Sequence, residues 1–252
     1  MTEIGARVLG ATVALLIGMG PVVAQQSTPF SDVQQDAIRA LILDTIRENP
    51  EVIIDSIMAY QGQVAAETEN RRRAAIADLR NDLQSDQNAG SLGNPDGGTV
   101  IVEFFDYNCP YCRRAAPEVN ALIDEDPDLR VVMREFPILG SDSETAARAS
   151  LAARAQGKYA EFHDALMAQP RANTATIRRT ANEVGLDFER LQADMHAPEV
   201  DEHIARSREL AQQLGISGTP TFIIGGNIVP GLAKQDQLAA MIAAARDLSG
   251  GP

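Results

Sequence analysis

Apolar residues occur along this chain in two periodicities. After an initial apolar run from Val8 to Met19, hydrophobic positions recur at helical spacing: Ile38, Leu41, Ile42, Thr45 and Ile46 share one face of a helix that Ser31 or Asp32 can cap and that reaches about Glu48. Asn49-Pro50 interrupts it, because the residue before a proline is driven out of the helical region, and Pro50 can open a second helix at its first position. That second helix carries Val52, Ile53, Ile54, Ile57 and Met58, turns polar from Gln61 to Arg73, and is apolar again at Ile76, Leu79 and Leu83. From Gln84 to Gly98 the chain is dense in Gly, Asn and the Asn94-Pro95-Asp96 signal, and reads as a turn-rich boundary.

Beyond this boundary the pattern becomes that of buried strands. Residues 99–106 form a continuous, largely β-branched and aromatic apolar run, and a helix from Cys109 to about Asp124 follows, ended by Asp126-Pro127. Leu129 to Glu135 is a second buried strand, so strand, helix and strand make a βαβ unit whose strands are expected to be parallel. Five helical patterns come next, over residues 143–155, 158–168, 173–184, 187–195 and 199–214. Thr221-Phe222-Ile223-Ile224 then reads as a short strand, Gly225-Gly226-Asn227 as a tight turn into Ile228-Val229, and residues 232–248 as a terminal helix. The fold class is α/β, preceded by a helical arm over residues 25–90, with the catalytic domain at 91–252 and a helical insertion at about 142–205.

Charge and compartment narrow the function. Residues 1–24 read as a secretory signal, with Arg7 in a polar start and Val22-Val23-Ala24 as a small-residue cleavage site. The apolar run falls short of the roughly 18–20 residues that span a bilayer, which disfavours an anchor. A net charge of −13 argues against nucleic-acid or anionic-membrane partners, whose phosphates it would repel. No P-loop, nucleotide fingerprint or Ser-His-Asp constellation is present, and no cofactor is called for.

The chain has two cysteines, Cys109 and Cys112, at the point where a buried strand meets a helix N-terminus. A disulfide closing so short a loop removes little unfolded-state entropy, so stabilisation is a poor reason for the pair, whereas redox chemistry is a good one. Unpaired amides and the positive end of the helix dipole favour a thiolate at Cys109, the candidate nucleophile. Cys112, about one turn on, lies on the same side and can resolve a mixed disulfide. Pro110 fits the first turn, Arg113 and Arg114 place cations near the pair and either lower the thiol pKa or are solvated, and Pro117 is expected to kink the helix. Four-ligand zinc is disfavoured for want of a second Cys pair; two thiolates could instead hold Cu(I). Of the histidines, His163 reads as a packing or capping residue, while His196 and His203, seven apart, do not by themselves build a metal site. Arg71-Arg72-Arg73 reads as a solvated or salt-bridged helix face. Glu103 in its apolar strand is costly unless it is paired, hydrated or kept neutral; the alternative is that it faces outward.

The run Glu103-Phe104-Phe105-Asp106-Tyr107-Asn108-Cys109-Pro110-Tyr111-Cys112, with the later Gly218-Thr219-Pro220-Thr221-Phe222, resembles the DsbA family of thioredoxin-fold thiol-disulfide oxidoreductases. Arg134 to Gly140 and Lys158 to Asp164 fit its Com1-like and ScsC-like (suppressor of copper sensitivity) members, and the similarity covers roughly residues 96–248. The resemblance implies a thioredoxin fold with an all-helical insertion, a cis Pro220 facing the dithiol, and a Thr219 whose backbone binds extended substrate. It also implies that Glu103 assists proton transfer to Cys112; Pro110 and Tyr111, between the cysteines, are expected to bind substrate with Thr219 and to help set the potential. Threonine before the cis proline resembles the isomerase branches more than the strong oxidase. The isoleucine stripe of the arm either packs back on its own domain or associates with copies of itself; ScsC-like proteins with such an extension are oligomers, trimers among them. The expected protein is therefore a periplasmic isomerase or reductase of misfolded exported proteins, recharged by a membrane thiol-disulfide partner. A Cu(I)-binding protein or a dithiol oxidase is the alternative.

Overall fold

The computed structural model describes residues 30–249, so the apolar run and cleavage site read from residues 1–24 lie outside it. The chain separates into two compact units, one ending at Gln61 and the other beginning at Gly62.

In the first unit, α1 (Asp32–Glu48) starts at Ser31, whose backbone N–H donates to Gln34 Oε1 at 2.9 Å. It stops at Asn49, as the Asn-Pro step requires, and α2 (Glu51–Asp78) starts two residues later. No residue of α1 is buried. Ile38, Leu41, Ile42 and Ile46, then Val52, Ile53, Ile54, Ile57 and Met58, are all exposed, Leu41 at 68 %.

The second unit is built on a five-stranded mixed sheet in the order β1-β3-β2-β4-β5, from β1 (Gly90–Gly93), β2 (Thr99–Phe105), β3 (Leu129–Glu135), β4 (Thr221–Ile224) and β5 (Asn227–Pro230). β2 and β3 run parallel, with Ile101 opposite Val131, and α4 (Pro110–Glu125) makes the crossover that a parallel pair demands. β4 pairs antiparallel with β2, and β5 returns from it by the Gly225-Gly226 turn. Helices α5 (Ser141–Arg154), α6 (Tyr159–Met167), α7 (Thr174–Glu183), α8 (Phe188–Asp194) and α9 (Pro198–Gln213) form the block between β3 and β4, and α10 (Gln235–Ser249) closes the chain.

Strand alternation divides the core in two. Ile101, Phe105, Leu129, Val131, Met133, Phe222 and Ile224 join Cys112, Val119 and Leu122 of α4 and the insertion helices in one cluster. Val102, Phe104, Val132 and Ile223 point the other way, into a cluster completed by Leu210 of α9 and by Ile76 and Leu83. The apolar end of the N-terminal segment is therefore core: Ile76 lies at the end of α2 and Leu83 in α3 (Arg80–Gln84), and burying such a side chain is worth about 1.5–3 kcal/mol. These two residues belong to the second unit.

One expectation is corrected. Gln84–Gly98 is not turns alone, because Gly90–Gly93 pairs antiparallel with β3, Gly90 opposite Met133. Its glycines answer to close approach: a Cβ on Gly90 would fall 1.9 Å from the Tyr159 ring, and Gly93, at φ 76°, lies under the Leu129 carbonyl.

A buried polar cluster ties this edge to the insertion. His203 Nδ1 contacts Asp86 Oδ2 at 2.9 Å and its Nε2 contacts Glu135 Oε2 at 2.7 Å; Arg134, fully buried, pairs with Asp86 at 2.5 Å and donates to the Asp82 carbonyl. These bonds outweigh the burial that would discharge the imidazole and raise the His203 pKa above its ordinary value. His163 is the opposite case: it is buried among Phe105, Tyr107 and Tyr159, its Nδ1 lies 3.0 Å from the Tyr107 hydroxyl, and burial lowers its pKa to about 3. His163 is thus a packing residue, and His203 a structural ion partner.

Candidate active site

The strand-to-helix junction presents the dithiol because two side chains fix the loop between β2 and α4. Asp106 Oδ1 accepts from the Asn108 N–H at 2.7 Å, and its Oδ2 accepts from the Ile138 and Leu139 amides at 2.8 and 3.0 Å. The side chain of Asn108 exchanges two bonds with the Ala172 backbone, both 3.0 Å, linking the loop to the helical insertion. Sequence reasoning missed both residues as anchors; the signal available was the tendency of Asp and Asn to bond the backbone two residues on. Arg113 donates to the carbonyls of Tyr107 at 2.7 Å and Asn108 at 3.5 Å, so its charge secures the loop, and Arg114 stands over the Tyr111 ring at 5.7 Å. Tyr111 itself is 54 % exposed.

Cys109 is the N-cap of α4, with extended backbone, and Pro110 occupies the first turn where no amide bond is lost. The helix runs on through Pro117 to Glu125. Both cysteines are free thiols. The Thr219–Pro220 peptide bond is cis, as the resemblance implied, and it places the Thr219 carbonyl 3.2 Å from Cys109 Sγ, where the thiol form donates to it. The loop is held from behind by Gly231 N–H on the Pro220 carbonyl and by Thr221 Oγ1 on the Gly218 carbonyl, both 2.8 Å.

The two sulfurs are pushed apart in acidity. A hydrogen bond from the Cys112 thiol, helped by the Thr219 side chain and the Cys112 and Tyr111 amides, overcomes burial and lowers the Cys109 pKa to about 5. Burial first, then donation to Cys109 and the nearby Glu103 charge, push the Cys112 pKa far above its ordinary value. Glu103 lies between Ile101 and Phe105 in the strand alternation and so faces the cluster beneath α4; it is 2 % exposed, which sets aside an outward-facing carboxylate. Burial, with the Cys109 charge second, raises its pKa to about 8, so it carries a proton near neutral pH.

The structure thus brings Cys109, Cys112, Glu103, Pro110, Thr219 and Pro220 to one end of the sheet, with Tyr111 at its surface. Chemically the arrangement offers one thiolate, one protonated thiol as its hydrogen-bond donor, and a neutral carboxyl behind them.

Residues 100–243 match the DSBA-like thioredoxin domain, and the chain belongs to that family. Residues 34–67 match the copper resistance protein ScsC N-terminal domain. Among solved structures, a thioredoxin-like oxidoreductase from Silicibacter pomeroyi DSS-3 is 56 % identical over 67 % of this chain and 98 % of its own, with a TM-score of 0.65. ScsC from Proteus mirabilis, solved in a transitional conformation, is 28 % identical over 87 % of this chain and 100 % of its own, also at 0.65. The Na(+)/H(+) antiporter NhaA 3 of Salinispora tropica is 31 % identical over 156 residues, 61 % of this chain, so the chain spans about a quarter (24 %) of that relative's length. Among the described residues no helix is long and apolar enough to cross a membrane.

Proposed function

We propose that this protein is an exported thiol-disulfide oxidoreductase of the DsbA and ScsC type that reduces and isomerises disulfides in misfolded exported proteins. The observation that carries the reading is the placement of the two cysteines: Cys109 caps the N-terminus of α4 with its Sγ 3.2 Å from the carbonyl of the residue before the cis proline, and Cys112 is buried one turn on. Cys109 thiolate attacks a substrate disulfide, one S–S bond breaks as another forms, and the departing substrate sulfur leaves as thiolate. If a second substrate thiolate then attacks the mixed disulfide, Cys109 is released unchanged and the substrate is isomerised. If Cys112 attacks instead, its proton passes to solvent or to the minority of Glu103 that is ionised below its pKa of about 8, the substrate leaves reduced, and the two electrons are restored by a membrane thiol-disulfide partner.

Thr219 and Pro220 hold the substrate backbone beside Cys109, Pro110 and Tyr111 tune the potential, and the ionised fraction of Glu103 serves Cys112 as proton acceptor. The exposed isoleucine stripe of α1 and early α2, in the stretch that resembles the ScsC N-terminal domain, makes the protein a homo-oligomer, a trimer by analogy. Several dithiols then act on one substrate.

Reactivation of scrambled ribonuclease by the full chain tests the reading. Wild type is expected to restore activity, Cys109→Ser to restore none, and Ile42→Asp with Ile54→Asp to lose isomerisation as the oligomer dissociates. Full activity in the monomeric double variant would refute the role given to association; inactivity of wild type would refute isomerisation.

A further inference from the structure

Beside the cis-proline loop lies a groove of about 320 Å³. Ile216, Thr219 and Pro220 line it from the loop, and Ile228 and Pro230 from β5. From α2 it is lined by Arg72, the one charged residue among the described residues that line it. The groove and the reacting sulfur share Thr219, whose carbonyl is 3.2 Å from Cys109 Sγ.

The turn of α2 that carries Arg72 is positioned through Arg73. Arg73 lies over the β4–β5 turn, with its Cγ 3.5 Å from where a Cβ on Gly226 would stand, so this turn of α2 is seated on the hairpin. Its charge is only partly compensated. Glu69 serves both Arg72, at 3.1 Å, and Arg73, at 3.4 Å, and across residues 67–73 three arginines face two glutamates. In a chain of net charge −13, the groove next to the nucleophile therefore carries a local excess of positive charge on a 43 % exposed side chain.

We propose that Arg72 is a specificity-determining residue that selects extended cysteine-containing segments bearing an acidic side chain near the reacting cysteine. The inference rests on the reading of the protein as a thiol-disulfide oxidoreductase. A segment whose cysteine is joined to Cys109 along Thr219 lays its flanking residues over the groove, where a carboxylate meets the guanidinium across neutral walls and a lysine meets repulsion.

The test compares the full-length reduced protein acting on two disulfide-bonded model peptides, identical except for aspartates or lysines flanking the cysteine, and on hydroxyethyl disulfide, which is too small to reach the groove. Wild type, Arg72→Ala and Arg72→Glu are expected to react equally with hydroxyethyl disulfide. The aspartate-to-lysine ratio of kcat/KM should fall about two- to fivefold from wild type to Arg72→Ala, the scale of a partly exposed ion pair, and fall further in Arg72→Glu, with added salt erasing the differences. A ratio that is the same in all three proteins overturns the inference while leaving the oxidoreductase reading intact. Failure of wild type to react with hydroxyethyl disulfide and with both peptides overturns both.

Discussion

If Cys109 is a thiolate held by the folded site, ionisation there must stabilise the reduced protein, and the gain must depend on pH in one direction. The folded pKa is lowered from 9.0 to about 5, so the stabilisation is complete above the unfolded value and is lost as pH falls through about 5. With those two values, the contribution is at most about 2.7 kcal/mol at pH 7 and about 0.4 kcal/mol at pH 5, taking about 1.36 kcal/mol for each unit. Water at the helix end screens part of this, so a difference of about 1–2 kcal/mol between the two pH values is the reasonable expectation. The assay is equilibrium denaturation of the reduced protein and of Cys109→Ser in parallel across this range, since the serine keeps the size and burial of the site but does not ionise. The main shift at Glu103 comes from burial, which both proteins share, so it largely cancels in the comparison. Wild type should gain on the variant as pH rises from 5 to 7. A gap that stays flat, or narrows, would refute the thiolate.

Glu103 should show the opposite sign. Its folded pKa is raised from 4.5 to about 8, so the native state binds a proton more tightly than the unfolded chain, and stability falls as pH rises through that window. Glu103→Gln is expected to be more stable than wild type by up to about 3 kcal/mol at pH 7 and indistinguishable well below the unfolded value, while resolution of a mixed disulfide by Cys112 slows by about a hundredfold in stopped-flow measurements. Replacing His203 with leucine leaves the charges of Asp86, Glu135 and Arg134 facing one another without their bridge, and should cost about 3–5 kcal/mol in a denaturant titration. Gly90→Ala drives a methyl group into the Tyr159 ring and should cost about 1–3 kcal/mol, whereas Gly90→Ala combined with Tyr159→Leu should recover part of it.

The parts of the fold that the sequence made legible are those written in periodicity. The β2 run, the capped helices of the insertion and the Asn49-Pro50 break each rest on local patterning that burial then reinforced, and the dithiol was legible because a strand ending in Cys-x-x-Cys has few uses. β1 escaped because Gly90-Ser91-Leu92-Gly93 carries a single buried apolar side chain; its reason to be a strand lies in the free edge of β3 and the Tyr159 ring, both remote in sequence. The anchoring work of Asp106 and Asn108 escaped for the same reason, since their partners at Ile138, Leu139 and Ala172 lie 32 to 64 positions away. Arg113 looked available to the thiols until the structure showed it bonded to loop carbonyls. Arg71-Arg72-Arg73 read as a solvated face, and only the seating of α2 against β5 reveals that one of the three borders the cis-proline groove. Glu103 was ambiguous in sequence because a strand has two faces; the alternation of Ile101 and Phe105 decides which one it occupies.

The central claim is that Cys109 attacks and Cys112 resolves, and trapping the mixed disulfide tests it most directly. Cys112→Ser incubated with a peptide disulfide should accumulate a covalent adduct, releasable by dithiothreitol and mapped by mass spectrometry to Cys109, while Cys109→Ser should form none. An adduct on Cys112 in the Cys109→Ser protein, or none at all with Cys112→Ser, would contradict the account.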